Sequence, residues 1–490
     1  MPARSSLCRR ETVLNVNARA GSMDHSTQGG AFIDERVIFQ TLEGLGPVAD
    51  PVHVREILAK ARELKGLNPE EVAVLTVVTD RGLLEELFTA ARFIKETIYG
   101  PRIVLFAPLY ISNLCHNECL YCAFRASNRE VHRRALNQDE IANEIKLLVE
   151  QGHKRVLVVS GESYPREDGF DYIIKSIETV YKTRSGPGEI RRVNVNLAPC
   201  TVEQFKQLKA AGIGTFQLFQ ETYHRRTYDV MHPGGRKRDY DWRVTAFDRA
   251  MRGGIDDVGM GLLFGLYDWR FEVLALLQHA RHLEEVFGVG PHTISVPRME
   301  PAVGSEIAAN PPRPVSDDDF LKIVAILRMA VPYTGMIMST RETPETRRAT
   351  LALGISQISA GSRTNPGGYS DGVQETDAQF QLGDHRPLNE VIRDLADMGY
   401  IPSFCTACYR LGRTGHDFME LAKPGDIKYR CDPNALSTFL EYLLDYASPD
   451  TVAAGERLIE KQLARMDDRL RRTASKMLDK VRGGRRDVYI

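Results

Sequence analysis

The chain has 490 residues, 43% of them hydrophobic and 26% charged, a balance that supports a large soluble core. Its formal net charge of -1 gives no basis for binding nucleic acid or an anionic membrane surface. No apolar run approaches the ~20 residues of a membrane span, so neither kind of partner is expected. In chain order, residues 1–32 read as a leader expected to be disordered. Its first 22 residues carry Arg4, Arg9, Arg10 and Arg19 against one acid, Glu11, and lack the apolar stretch of a secretory signal. A cytoplasmic protein is expected; organellar targeting by residues 1–22, or a true start near Met23, are the alternatives.

Residues 33–99 read as a helical extension, with segments near 51–64, 69–79 and 82–98. From residue 100, short β-branched runs alternate with amphipathic stretches. Eight candidate strands lie at 102–110, 155–161, 191–199, 214–221, 256–265, 292–298, 335–340 and 355–361. Helical patterns follow at 138–151, 201–211, 241–253, 271–287, 316–331 and 384–399. Asp139 and Glu140 fall in one first turn and Ser316 reads as an N-cap. Eight strand–helix pairs imply parallel strands with right-handed crossovers, hence an α/β chain with a (β/α)8 TIM-type barrel over 100–399. An open doubly wound sheet would carry a Gly-rich phosphate fingerprint after the first strand, and none is present. Residues 400–490 read as a C-terminal module separate from the barrel, a loop rich in Cys, Gly and Pro followed by helices near 433–447 and 449–482.

Six of the eight cysteines form two tight groups of three, and in a long chain without a secretory signal such groups argue for metal ligation over disulfides. Cys8 and Cys200 stand alone and read as incidental thiols. The first group, Cys115-His-Asn-Glu-Cys119-Leu-Tyr-Cys122, follows the first strand at C-x3-C-x2-C spacing. Three thiolates this close can hold three irons of a cubane and leave the fourth open. Structural zinc would want a fourth Cys or His at matching spacing, and His116 is expected to point away. With Tyr121 ahead of the last cysteine, the triad resembles the radical S-adenosylmethionine (SAM) signature. That resemblance implies a [4Fe-4S] cluster whose open iron chelates SAM and delivers the electron that splits it into methionine and a 5′-deoxyadenosyl radical. Other positions fit it. Gly161 and Glu162 end the second strand, where the SAM amino group is expected. Glu221 ends the fourth strand as an acceptor for ribose or the amino group. Arg243 is a candidate partner of the SAM carboxylate. Phe124 offers stacking, and the glycines of 259–265 offer bare backbone, for adenine.

The second group, Cys405-Thr-Ala-Cys408 with Cys431, has C-x2-C-x22-C spacing. Two readings stay open: a second iron–sulfur cluster with an unligated iron, or zinc with His416 as fourth ligand. The first triad follows a strand and so belongs at the top of the barrel, whereas Cys405 follows the last helix back down. The two sites are therefore expected at opposite mouths, at least ~17–20 Å apart. His292, at the bottom end of the sixth strand, is a candidate iron ligand or a hydrogen-bonded edge histidine.

CTACYRLGRTGHDFMELAKPG with Cys431 and PNALSTFLEYLLDY closely resembles the tail of HydG-type [FeFe]-hydrogenase maturases. FQETYHRRTYDVMHPGG, DDVGMGLLFGLYDWRFE, GPHTISVPRMEPA and SAGSRTNPGGYSDG extend the resemblance over roughly 33–480. It implies a lyase that cleaves the Cα–Cβ bond of L-tyrosine to p-cresol and dehydroglycine. The latter becomes CO and cyanide at the tail cluster. That cluster would carry an extra dangler iron on His292 with cysteine as an added small ligand, for assembly of the hydrogenase H-cluster. Implied partners are a reductant such as ferredoxin or flavodoxin, other hydrogenase maturases and a scaffold GTPase. A tyrosine carboxylate needs a cation, and Arg341 and Arg363 follow the seventh and eighth strands at the catalytic face. The base for the phenol proton is not identified. The alternatives are a thiamine-pathway tyrosine lyase, which stops at dehydroglycine and has no use for the tail triad, and a non-catalytic iron–sulfur carrier or zinc-stabilised scaffold.

Overall fold

The computed structural model describes residues 30–371 and 377–490, so the leader up to residue 29 lies outside the described residues. Four helices come first: α1 (Glu35–Glu43), α2 (Pro51–Ala61), α3 (Pro69–Thr76) and α4 (Arg81–Tyr99). Each begins where a side-chain oxygen meets a first-turn N–H, supplied by Asp34, Asp50, Asn68 and Asp80. The group docks on the outside of the barrel. Tyr99 donates to the Tyr333 carbonyl at 2.6 Å, and the Leu67 N–H to the Ala330 carbonyl at 3.3 Å. No helix among the described residues is long and apolar enough to cross a membrane.

All eight expected barrel strands form: β1 (Arg102–Ser112), β2 (Arg155–Ser160), β3 (Arg192–Asn196), β4 (Phe216–Glu221), β5 (Val258–Leu262), β6 (Thr293–Ser295), β7 (Gly335–Met338) and β8 (Gln357–Ser359). They pair in parallel in chain order. β8 returns to β1 through Val104↔Gln357, Leu105↔Ile358 and Phe106↔Ser359, closing a (β/α)8 barrel. β1 is buried along all 11 residues, one face against the helices and the other in the lumen. A short antiparallel hairpin, Arg184–Ser185 with Gly188–Glu189, is an addition that the sequence pattern does not suggest.

The tail is tied to the barrel more closely than the pattern suggests. A ninth strand, β9 (Ile401–Ser403), pairs in parallel with Arg102–Val104 at the lower end of β1. Three residues with a proline in the middle give no period-2 signal, which hides this strand from the sequence. The expected long last helix breaks into Pro449–Arg465 and Asp468–Arg482, the second capped by Asp467. Arg191, just before β3, donates Nη1 and Nη2 to Glu441 of the tail helix Lys428–Asp445 at 2.9 and 2.7 Å. Both partners are buried. Removing Glu441 leaves the buried Arg191 with only the more distant Asp487 and Glu189, at 3.4 and 3.6 Å, so Glu441→Ala is expected to destabilise the protein by ~3–5 kcal/mol in denaturant unfolding. An Arg191→Met/Glu441→Leu pair should recover most of that loss, and equal destabilisation by both variants would rule out this ion pair as the seam.

Candidate functional site

The loop after β1 carries the first triad into the top of the barrel. Arg133 gathers this loop, donating to the carbonyls of Asn113 at 3.0 Å and Phe124 at 2.9 Å, and to those of Arg125 and Asn128. Asn128 adds a bond to the Ala123 carbonyl at 2.8 Å. Cys115, Cys119 and Cys122 line one cavity that runs down the lumen past Leu157, Gln217 and Ser295. His116 is exposed and points away from it, as expected. Tyr121 lines the cavity and is held by its hydroxyl: His232 gives Nδ1–H to the Tyr228 carbonyl at 2.8 Å, so its Nε2 accepts from Tyr121 at 2.7 Å. Phe124 is buried in the same wall, edge-on to Tyr110.

Facing the thiols is a buried charge network. Glu162 accepts from Arg243 Nη1 and from Asn117 Nδ2, both at 2.8 Å. Arg243 Nε also donates to the Phe219 carbonyl at 2.7 Å, and its Nη2 lies 3.9 Å from Glu221. Glu221 accepts from Lys237 Nζ at 2.6 Å. Glu221 itself sits at φ 71°, where β4 bulges against β5. A left-handed non-glycine residue costs of order 1–3 kcal/mol and persists only where its surroundings fix it. Burial would raise the Glu162 carboxyl, but Arg243 and Lys237, with the hydrogen bonds from Arg243 and Asn117, hold it below its usual range. Burial pushes the Cys115 thiol up to about 11 and raises Cys119 and Cys122 as well. The triad therefore binds metal only by releasing protons, as thiolate ligands must.

Two assignments change. Gly161 lines the cavity, but its bareness serves the protein: an added Cβ would stand 2.2 Å from the Leu114 carbonyl oxygen of the triad loop. The bare edge of Gly261 is likewise filled by the Phe219 ring, and Cβ atoms at Gly259 would meet Thr293 and Gln217. Of residues 259–265 only Leu263 lines the cavity, so this stretch offers adenine no open backbone. Arg341 also lines the cavity, its guanidinium 3.3 Å from the centre of the Phe380 ring. Among the described residues that guanidinium makes no hydrogen bond or ion pair. Arg363 does not line the cavity; it donates to its own neighbour, the Ser362 carbonyl, because the loop aims Ser362 and Thr364 inward instead.

Sequence reasoning missed Lys237, which between Arg236 and Arg238 reads as part of a solvated basic run yet is buried. It also missed Tyr110, whose hydroxyl donates to Gln379 at 2.7 Å in the cavity wall, and Glu300, whose carboxyl burial raises. The inward phase of β1 could have pointed to Tyr110.

The second triad lies below the barrel. Cys405 turns the chain after β9 at φ 48°, Cys408 opens a 3-10 turn, and Cys431 sits near the start of Lys428–Asp445. All three line a second cavity of about 380 Å³ with Arg102. Arg102, the first residue of β1, pairs with Asp432 at 2.6 Å, beside Cys431. A hydrogen bond from Cys431, with Arg413 beside it, draws the Cys408 thiol down to about 6; the same bond and burial raise Cys431. Among the described residues no three His, Cys, Asp or Glu groups converge as ligands of one ion, whereas a cubane spreads its thiolates over three irons. His416 is 71% exposed and 3.7 Å from Glu420, turned away from the thiols. His292 is buried at the lower rim, its ring 4.5 Å from that of Phe418 in the tail. Its Nδ1 lies 3.4 Å from Asp257 without hydrogen-bond geometry, and burial lowers it to about 4, leaving a neutral imidazole.

Comparison with known proteins matches residues 109–278 to the radical SAM superfamily and 295–401 to the biotin and thiamin synthesis associated domain. A crystal structure of HydG, a maturase of the [FeFe]-hydrogenase, is 51% identical with a TM-score of 0.89, covering 94% of this chain and 100% of that one. The HydG maturase of Carboxydothermus hydrogenoformans is 38% identical with a TM-score of 0.79, over 92% and 99%. The 2-iminoacetate synthase of Escherichia coli K12 is 31% identical over 344 residues, 70% of this chain and 88% of that protein. A displaced triad loop should be costly, since ~1 Å of misplacement can cost ~100-fold in rate. Gly161→Ala is therefore expected to cut SAM cleavage by about that factor while the protein stays folded; a rate within twofold of the parent would refute the close-packing role.

Proposed function

The chain belongs to the HydG-type maturases of the radical SAM superfamily, and from that premise we propose that it cleaves the Cα–Cβ bond of L-tyrosine in the upper cavity. The products are p-cresol and dehydroglycine. We propose further that the tail triad holds a second iron–sulfur cluster, with an extra iron on His292, where the small fragment yields CO and cyanide for hydrogenase H-cluster assembly. A [4Fe-4S] cluster on Cys115, Cys119 and Cys122 would supply, with SAM, the one-electron chemistry that starts the cleavage. The protein's own residues bind and orient. Glu162, kept ionised by its cationic neighbours, is an acceptor for the SAM amino group. Glu221 is aimed into the cavity by its left-handed backbone and by Lys237. Arg243 has Nε on the Phe219 carbonyl and Nη1 on Glu162, with Nη2 turned toward Glu221, so it positions the carboxylates rather than reaching for a SAM carboxylate. Arg341, unpaired and stacked on Phe380, is suited to take the tyrosine carboxylate in a two-point contact.

One observation carries this reading: three thiols gathered in a second cavity beneath the barrel, in a chain whose likeness to HydG spans 94% of its length. Release of dehydroglycine itself, as the relation to 2-iminoacetate synthase suggests, would leave these thiols without a task. Anaerobic incubation of a Cys405→Ala/Cys408→Ala variant with tyrosine, SAM and reductant distinguishes the two. p-Cresol should persist while CO and cyanide fall to background; CO at the parent's level in the variant would remove the tail triad from that step, and a parent that forms p-cresol without CO or cyanide would favour the thiamine-type reading. Separately, Arg341→Met should raise KM for tyrosine at least ~30-fold, the cost of losing one partner of a buried charge pair. An unchanged KM would remove Arg341 from the substrate site.

A further inference from the structure

Residues 485–490 turn back across the lower triad and join its two halves. Asp487 stands at φ 58°, which sends its carboxylate and its backbone to different partners. One row of contacts runs to the loop bearing Cys405 and Cys408. Asp487 accepts from Arg410 Nη1 at 2.6 Å and Nη2 at 2.8 Å, and Arg413 Nη2 donates to the Ile490 carbonyl at 2.6 Å. The other row runs to the helix bearing Cys431. Ile490 gives its N–H to Asn434 Oδ1 at 2.9 Å, Asn434 Nδ2 returns a bond to the Ile490 carbonyl at 3.1 Å, and Ser437 Oγ donates to the Val488 carbonyl at 2.7 Å. The base of the segment is fixed by Arg486, whose Nε reaches Asp445 at 2.7 Å. Asp487, Val488 and Tyr489 form the wall of the 380 Å³ cavity that faces the three cysteines.

We infer that residues 485–490 are a latch on the outer face of the tail iron site, closed over it at rest and opened to pass iron and its small ligands. This rests on the reading of the tail triad as an iron–sulfur site. The construction favours a latch over fixed packing. Most of the attachments are polar, with Val488 also packed against the main core, and the Arg410–Asp487 pair keeps 23% and 26% exposure. Bonds of this kind exchange with water at small net cost. The apolar cluster under the triad, Met419, Ala422 and Ile427 with Cys408 and Cys431, contains no latch residue. Lifting the segment would free Val488 from the main core and break the Asp487 N–H bond to Glu441 at 3.2 Å, but would leave this cluster intact. With the latch down, Cys408 and Cys431 are buried, although a cluster with an open iron must receive a ligand from outside.

The test uses the full chain, anaerobically reconstituted with iron and sulfide, and follows iron removal by a ferrous chelator through the absorbance of its complex. Asp487→Asn, and a milder-to-fold replacement of residues 488–490 by glycine and serine, are compared with the parent. A Cys405→Ala/Cys408→Ala variant, which keeps only the upper triad, reports the removal rate of that cluster's iron. Both latch variants should lose the tail iron about fivefold faster or more, the effect of one lost charge-assisted contact, with no change in the rate for the upper iron. Equal rates in the parent and both variants would overturn the latch. Equal iron content in the parent and the double-alanine variant would instead overturn the tail cluster, and the latch with it.

Discussion

The architecture depends on one strand held along both edges. β1 pairs with β8 at Val104–Phe106 on one edge, and on the other with β9 at Arg102–Val104 and with β2 above. Its 11 residues span ~33 Å from first to last at the usual rise. The upper end runs directly into the loop of Cys115, Cys119 and Cys122. The lower end, through Arg102, touches Asp432 beside Cys431. Because a buried parallel strand cannot slip by one residue without turning every side chain to the wrong face, the two triads are fixed relative to each other. The length of β1, about twice the usual for a strand, is consistent with the minimum separation of ~17–20 Å expected from the sequence.

Electrostatics give the two ends different characters. At the top, burial raises all three thiols, while Arg243 and Lys237 keep Glu162 charged. The cations there serve carboxylates that face the cavity. At the bottom, Arg413 lies beside the sulfurs and one thiol is already drawn down. The upper cavity thus presents buried carboxylates held by cations, and the lower one three thiols with a cation beside them.

Much of this was legible in the sequence because two strong signals coincide. The barrel strands are β-branched runs buried on both faces, and all eight were readable. The first triad and the Cys405–Cys408 pair are spaced tightly enough that chain geometry alone brings their sulfurs close, whereas Cys431 joins them through the packing of its helix. What escaped depends on packing. Lys237 sits among arginines and looks solvated, yet it is folded under Tyr121 onto Glu221. The glycines of β5 look like room for a ligand, but neighbouring side chains already occupy the space. Arg341 and Arg363 are equivalent by position after a strand, and only the loop's path sends one inward. β9 is too short to carry a pattern, so the tail looked detached from a barrel it completes from below.

The central claim is two metal sites, each built from three sulfurs and each leaving one iron free. Low-temperature EPR of the reconstituted, reduced protein, recorded with and without SAM, tests it most directly. Two separable cluster signals are expected, only one of which shifts when SAM is added and remains when Cys405 and Cys408 are replaced. A single signal in the intact protein, or zinc in place of iron in the tail, would contradict the account.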